Sequence, residues 1–197
     1  MAATEIAVPD LARARERLRE VLIARSLRFG DFTLASGAKS HYYVDVRQTS
    51  LDGEGALLIA TLMLPFLREA GVEAVGGLTL GADPIVGATI ALARTQNLPL
   101  TGFLVRKETK DHGTGRRIEG PFHAGLRVAI VDDVITKGGS ARNAFEAACE
   151  AGADVRLVAC VVDRGEGGSE EFAARGVAFR AIYPMRELLE AAGRAGG

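Results

Sequence analysis

The segment Val128–Ala141, which reads VAIVDDVITKGGSA, decides the fold of this 197-residue chain. An apolar run leads into two neighbouring aspartates, Asp132 and Asp133, then into a short glycine-rich turn and the start of a helix. This order predicts a buried strand, a turn and a helix. Neighbouring carboxylates at a strand end can accept hydrogen bonds from sugar hydroxyls. The backbone N–H groups of Thr136–Ser140, at a helix N-terminus, can bind a phosphate. We therefore expect a ribose 5-phosphate site at this segment.

Strand-like and helix-like segments alternate on both sides of this motif, which predicts a doubly wound α/β domain with a mainly parallel sheet. We expect Pro65 to kink or break the helix in which it lies. Ligands of such folds bind beyond the carboxyl ends of the strands, where the polar motifs of this chain fall. The predicted strands are at about 74–79, 101–105, 127–131, 155–162 and 177–182, and the predicted helices are at about 52–70, 85–96, 141–151 and 169–175, with a last one from Pro184.

The first fifty residues have a different pattern. Asp10 is placed to cap a helix that runs to about Leu27. Two β-prone runs in residues 32–47, FTLASGAKSHYYVDVR, flank small residues and predict a β-hairpin.

Composition limits the possible functions and partners. The formal net charge is −1, so no global basic field attracts nucleic acid, and anion binding must come from local clusters. We expect no membrane partner and a cytoplasmic location, because the sequence shows neither a signal peptide pattern nor an apolar run of transmembrane length. Cys149 and Cys160 have no metal-ligand spacing and are predicted to be buried thiols.

Three further polar motifs fall at predicted strand ends. Leu80–Pro84 (LGADP) contains small residues that would let backbone N–H groups reach an anion, although a structural turn also explains this segment. Arg106–Gly113 (RKETKDHG) carries three cations and a histidine, as a lid over a polyphosphate would, although a solvated charged loop is the alternative. Arg164, after Asp163, can bind a carboxylate through two N–H groups, or form a surface ion pair.

Taken together, these motifs resemble those of a known family. VDDVITKGGS resembles the phosphoribosyl pyrophosphate (PRPP) motif of type I phosphoribosyltransferases. FTLASGAKSHYYVDVR, RKETKDHG and DRGEGG resemble orotate phosphoribosyltransferases, and the likeness covers about residues 29–168. The resemblance implies one type I phosphoribosyltransferase-like α/β domain over residues 1–197. About residues 1–50, a helix plus a β-hairpin, form a small N-terminal hood with C-terminal elements.

The resemblance also implies an activity, transfer of the 5-phosphoribosyl group from PRPP to orotate, which gives orotidine 5'-phosphate and pyrophosphate. It implies Mg²⁺ as cofactor, held mainly through PRPP, and a homodimer in which the catalytic loop reaches the neighbouring subunit. Lys110, His112 and Asp133 match catalytic positions. The positions that match orotate contacts are Thr136, Arg164, Tyr43 and Val44. The positions that match PRPP contacts are Arg106, Lys107, Lys110, His112, Asp132, Asp133, Val134, Ile135, Thr136, Lys137, Gly138, Gly139 and Ser140.

The chain departs from the family pattern at two cationic positions. Ala35 stands where many members have lysine, and the Gly81–Asp83 loop lacks the lysine that many members carry there. Lys39 is a candidate substitute, and Lys137 adds a cation beside the 5-phosphate.

Two other functions are compatible with a PRPP motif. One is a non-catalytic PRPP-sensing regulator, which the near-neutral charge, the lack of room for a DNA-binding domain and the intact cationic loop disfavour. The other is a phosphoribosyltransferase for another base, such as a purine, which the hairpin and Arg164 disfavour.

Overall fold

The computed structural model describes residues 10–33, 37, 39–107 and 117–193, and it begins with a helix and a hairpin. Helix α1 (Leu11–Val21) starts at Asp10, whose side chain accepts hydrogen bonds from the backbone N–H groups of Ala12 and Arg13, as predicted. A π-helical turn (Leu22–Ser26) follows, so α1 ends before the predicted Leu27. Strands β1 (Leu27–Thr33) and β2 (Lys39–Val44) then form the predicted antiparallel hairpin.

A six-stranded sheet forms the centre of the described structure, with the spatial order β5-β4-β3-β6-β7-β8. Five of its strands run parallel, and β5 pairs antiparallel with β4 at one edge, so the predicted mainly parallel sheet is confirmed. The strands are β3 (Ala74–Leu78), β4 (Thr101–Val105), β5 (Ile118–Glu119), β6 (Arg127–Ile135), β7 (Asp154–Asp163) and β8 (Ala178–Pro184).

Helices cover both faces of this sheet. Successive residues of β6 alternate between two cores: Ala129 and Val131 pack in one, Val128 and Ile130 in the other. Both faces of the strand that carries the acidic pair are therefore buried. The remaining helices are α2 (Arg47–Ser50), α3 (Gly53–Glu69), α4 (Asp83–Thr95), α5 (Gly139–Glu150), α6 (Gly168–Ala174) and α7 (Met185–Ala191).

The N-terminal helix is fastened to the C-terminal elements. Arg15 in α1 donates two hydrogen bonds of 2.7 Å to the carboxylate of Glu187 in α7. The hydroxyl of Tyr183, a buried residue of β8, donates to the carbonyl of Arg15. Since these contacts join the two ends of the described chain, they fix α1 beside the sheet edge formed by β8.

Two predictions about local structure were wrong, and a third was wrong in part. Of the kink or break predicted at Pro65, the break does not occur, because helix α3 continues to Glu69. Pro65 has no N–H to donate to the carbonyl of Thr61, and the burial of most side chains of α3 outweighs this cost of about 3 kcal/mol. Strand β6 does not stop at Val131, because its ladder with β7 continues to Ile135. Cys149 is exposed, because it lies outside the buried face of α5. Cys160 is buried as predicted.

Candidate active site

The acidic pair lies in the last part of β6, inside the strand rather than after it. Asp132 is 4% exposed. Its Oδ1 accepts a hydrogen bond of 3.0 Å from the backbone N–H of Asp133, and Oδ1 of Asp133 accepts one of 2.9 Å from the N–H of Val134. The backbone thus orients both carboxylates at the carboxyl end of the sheet.

The pair is electrostatically strained in the free protein. Burial, and then the charge of Asp133, raise the pKa of Asp132 well above its ordinary value of 3.8. Hydrogen bonds donated to a carboxylate stabilise its charged form. Hydroxyl groups that donate to these two carboxylates therefore stabilise their charged forms.

A glycine-rich turn leads from the acidic pair into α5. Gly138 has φ 79°, a left-handed conformation that favours glycine, and it is the N-cap of the helix. The backbone N–H of Arg142 donates to the Gly138 carbonyl at 2.7 Å. The first N–H groups of a helix have no intrahelical acceptor and favour an anion. The predicted phosphate-binding turn, Thr136–Ser140, therefore follows directly on the two carboxylates.

The loop after β3 packs against the acidic pair. A Cβ atom on Gly81 would lie 2.6 Å from Oδ1 of Asp133 and 3.1 Å from Oδ1 of Asp132. The structure thus brings together two motifs that lie about fifty residues apart in the sequence. Because the parallel strands β3 and β6 are neighbours, their carboxyl ends lie side by side, and the loops that follow them meet.

Arg164 lies at the end of β7 with only 10% of its side chain exposed. Its Nε is 2.9 Å from Oε1 of Glu166, and its guanidinium carbon lies 5.1 Å from the centre of the Tyr42 ring. Its backbone N–H donates to the carbonyl of Ile135 at 2.9 Å. The structure therefore holds this arginine between the hairpin and the turn that follows the acidic pair.

Arg164 contacts Tyr42, a hairpin residue that sequence reasoning did not single out. Tyr43 is 40% exposed and packs on Phe32, with 5.7 Å between ring centres, while Val44 is buried. Successive side chains of a strand point to opposite faces, so Tyr42 shares the face of Val44 and not that of Tyr43. That alternation was the signal that identifies Tyr42.

Only part of the cationic loop lies within the described residues. The backbone N–H of Arg106 donates to the carbonyl of Arg117 at 2.9 Å, so both ends of the loop lie together. Nε of Arg106 is 2.9 Å from Oε1 of Glu119. Lys110, His112 and Ala35 lie outside the described residues.

A cavity of about 660 Å³ opens beside the loop after β3. One oxygen of Asp83 is buried without a hydrogen-bond partner among the described residues, and burial raises the pKa of that carboxyl group. The lining residues are Asp45, Arg47, Gln48, Leu51, Leu80, Asp83 and Pro84. Sequence reasoning did not single out Arg47.

Two features are absent from the residues that the structure describes. These residues contain no group of three or more His, Cys, Asp or Glu side chains arranged to hold a metal ion. Nor is any described helix both long and apolar enough to cross a membrane.

Comparison with known proteins gives one consistent family, although no family model matches the chain. The chain is 45% identical over 180 residues to the orotate phosphoribosyltransferase of Bradyrhizobium sp. (strain ORS 278), covering 89% of this chain and 97% of that one. It is 45% identical over 169 residues to the enzyme of that name from Rhodopirellula baltica, covering 83% and 88%.

Solved structures agree with these sequence matches. Mycobacterium tuberculosis orotate phosphoribosyltransferase in complex with PRPP superposes with a TM-score of 0.75 at 35% identity, over 89% of this chain and 98% of that one. The Aeropyrum pernix orotate phosphoribosyltransferase gives a TM-score of 0.77 at 35% identity, over 91% and 99%.

Proposed function

Since this chain belongs to the orotate phosphoribosyltransferase family, we propose that it transfers the 5-phosphoribosyl group of PRPP to orotate, giving orotidine 5'-phosphate and pyrophosphate. The observation that carries this proposal is the convergence of Asp132, Asp133, the Thr136–Ser140 turn and Arg164 at one edge of the sheet. Chemically, this edge offers acceptors for a sugar diol, donors for a phosphate and a cation for a carboxylate.

The acidic pair acts on the ribose. Asp132 and Asp133 accept hydrogen bonds from its 2- and 3-hydroxyl groups, while the N–H groups of the Thr136–Ser140 turn bind the 5-phosphate. When the bond from C1 to pyrophosphate stretches, positive charge develops on the sugar, as in other glycosyl transfers. Negative carboxylates beside the ring stabilise that charge, and we assign this role to Asp133.

Cationic residues act on the leaving group. Arg106, Lys107, Lys110 and His112 close over the pyrophosphate, and Lys110 or His112 donates a proton or hydrogen bond to it. Removing a group that stabilises developing charge in this way costs about 3–4 kcal/mol of transition-state stabilisation, by analogy with oxyanion holes.

The donors at this edge suit Mg²⁺, which binds through one or two carboxylates together with substrate phosphates and waters. We propose that Mg²⁺ enters mainly with PRPP and, when bound, offsets the charge of the diphosphate. We propose Asp132 and Asp133 as the oxygen donors of the chain beside it.

Arg164 selects the base. Its nearly buried guanidinium binds the carboxylate of orotate, and Thr136 and the hairpin residues Tyr43 and Val44 lie along the pyrimidine in this proposal. Uracil has no carboxylate and leaves Arg164 without its substrate partner, so it is rejected.

The remaining proposals concern organisation. We propose that residues 1–197 form one domain, that two copies form a homodimer, and that each cationic loop completes the site of the other subunit. The enzyme is expected in the cytoplasm, without nucleic acid or membrane partners.

Direct assay tests the activity. Purified protein with Mg²⁺ and PRPP is expected to consume orotate and to leave uracil and hypoxanthine unchanged. Consumption of another base alone, or PRPP binding without turnover of any base, would contradict the proposal.

Complementation tests the shared loop. Lys110→Ala and Asp133→Asn are each expected to cut kcat severely. After subunit exchange in an equal mixture, half of the dimers carry one intact site, which restores about a quarter of the wild-type rate. If the loop served its own subunit, no intact site would form and the mixture would stay inactive.

A further inference from the structure

The loop that faces the acidic pair carries no cation. Residues Leu80–Pro84 contribute an aspartate and apolar or small residues. Yet this loop is next to the two carboxylates, because Gly81 lies against both of them. A diphosphate at this position needs positive charge from another part of the chain.

The order of the binding elements indicates where the diphosphate lies. The acidic pair lies between the Thr136–Ser140 turn, which follows it in the chain, and the Gly81 loop, which packs against it. In PRPP, the 5-phosphate, the hydroxyl pair and the 1-diphosphate follow in the same order, since C1 is bonded to the carbon that carries the 2-hydroxyl. If the first two elements hold the parts of PRPP proposed above, the diphosphate extends towards Gly81 and the adjoining cavity.

We propose that Arg47 binds the diphosphate of PRPP from across this cavity and supplies the positive charge that the Gly81–Asp83 loop lacks. Arg47 begins α2, directly after the hairpin, and it lines the cavity opposite Leu80, Asp83 and Pro84. This inference rests on the proposed function, and it adds a PRPP contact that the motif resemblance does not assign.

The guanidinium of Arg47 is held in place but keeps donors for a ligand. Its Nε and Nη2 donate to the Asp45 carboxylate at 2.8 and 3.2 Å. No hydrogen bond from Nη1 occurs within the described residues. Because 46% of the side chain is exposed, a ligand in the cavity can reach these donors. Asp45 therefore orients Arg47 much as a carboxylate orients a metal-binding histidine.

Arg47 also lies within the electrostatic field of Asp133. Asp45 raises the pKa of Arg47 most strongly, and the charge of Asp133 adds to the effect. Arg47 therefore lies near enough to Asp133 for the charges of the two side chains to interact.

Lys39, the substitute expected from sequence, has another partner. Its Nζ donates to Oγ1 of Thr33 at 2.8 Å on the hairpin. It is also not among the residues that line the cavity. The structure therefore favours Arg47 over Lys39 as the replacement cation.

Binding measurements on Arg47→Gln test the inference. PRPP with Mg²⁺, inorganic pyrophosphate and orotidine 5'-phosphate are each titrated into the whole protein by calorimetry. Losing a charge-assisted hydrogen bond is expected to weaken PRPP and pyrophosphate binding about 10- to 100-fold. Orotidine 5'-phosphate, which has no diphosphate, should bind within about threefold of wild type. Arg47→Lys should recover part of the loss.

Matched variants separate charge from structure. Asp45→Asn removes the same ion pair but keeps the cation and one oxygen that can accept from it, so it should weaken pyrophosphate binding less than Arg47→Gln does. Arg127→Gln removes an arginine that is ion-paired with Glu73 where β3 and β6 begin, at the end of the sheet opposite the site, and it should change nothing.

The outcomes identify which idea fails. Equal weakening of all three ligands by Arg47→Gln, or a loss by Asp45→Asn as large as that by Arg47→Gln, would show a structural role and overturn the inference. Unchanged PRPP and pyrophosphate binding in Arg47→Gln would overturn it as well. If wild-type protein bound no PRPP, the proposed function itself would fail.

Discussion

Gly81 packs so closely on Asp133 that a Cβ atom on it would lie 2.6 Å from Oδ1 of that carboxylate. The contact joins the loop after β3 to the end of β6. Asp133 cannot move away freely, because the same oxygen accepts a hydrogen bond from the backbone N–H of Val134. The position of this carboxylate therefore depends on the absence of a side chain at residue 81.

Gly81→Ala is expected to displace the acidic pair. The methyl group pushes the Asp133 carboxylate off its hydrogen bond and crowds Asp132, so we expect the KM for PRPP to rise about tenfold or more, with a smaller effect on the KM for orotate. Gly87→Ala is the control, since a Cβ atom there meets nothing within 4 Å. Steady-state kinetics showing equal PRPP parameters for both variants would contradict this reading.

Asp132→Asn is expected to stabilise the ligand-free protein while it abolishes PRPP binding. The folded-state pKa of Asp132 is raised, so the ionised carboxylate costs stability at neutral pH. An amide removes the charge and keeps an oxygen for the N–H of Asp133. We therefore expect a higher free energy of unfolding for the variant than for wild type at pH 7.

The pH dependence of this gain checks its cause. Below the ordinary pKa of 3.8 the carboxyl group is protonated in both the folded and the unfolded state, so wild type and variant should be equally stable there. The gain should grow as pH rises above 3.8 and should level off once the pH exceeds the raised folded-state pKa. Denaturant titrations at several pH values measure it, and a gain that is independent of pH would point to packing instead of charge.

Tyr42 is expected to contribute to base selection through its ring. The guanidinium of Arg164 lies over this ring, and Tyr42→Leu removes the aromatic face while keeping an apolar side chain. A cation–π contact at a largely buried site contributes about 1–2 kcal/mol, so the KM for orotate should rise about 5- to 30-fold. Tyr42→Phe keeps the face and should behave as wild type. Equal effects of both substitutions on the KM would assign the role to the hydroxyl group.

The fold was largely predictable from sequence because its signals are local. Alternating strand and helix patterns, the Asp10 cap and the small residues of the hairpin each depend on a few neighbouring residues. The end of β6 was not predictable in this way. Its last residues pair with Val162 and Asp163 of β7, and this pairing, absent from local sequence, keeps two aspartates within a strand.

The candidate site was predictable where one contiguous segment carries a complete binding element. The acidic pair and its glycine turn are contiguous, and motif spacing placed Arg164 at a strand end. Arg47 and Tyr42 were missed because their roles depend on contacts across the fold, with the cavity beside Leu80 and with Arg164. The strand alternation of the hairpin indicates Tyr42 in hindsight, whereas nothing local marks Arg47.

Gly168→Ala is expected to weaken binding of both substrates, because Gly168 joins the Arg164 loop to the phosphate-binding turn. Its N–H donates to the carbonyl of Thr136 at 3.0 Å, and a Cβ atom would lie 2.4 Å from Cγ2 of Ile135 and 2.8 Å from that carbonyl oxygen. The two loops must separate to admit the methyl group, at a cost of about 1–3 kcal/mol in stability. Calorimetry should show weaker binding of both PRPP and orotate, with a lower Tm, while Gly53→Ala, where a Cβ atom meets nothing within 4 Å, should leave all three unchanged. A loss confined to one substrate would mean that the loops move independently.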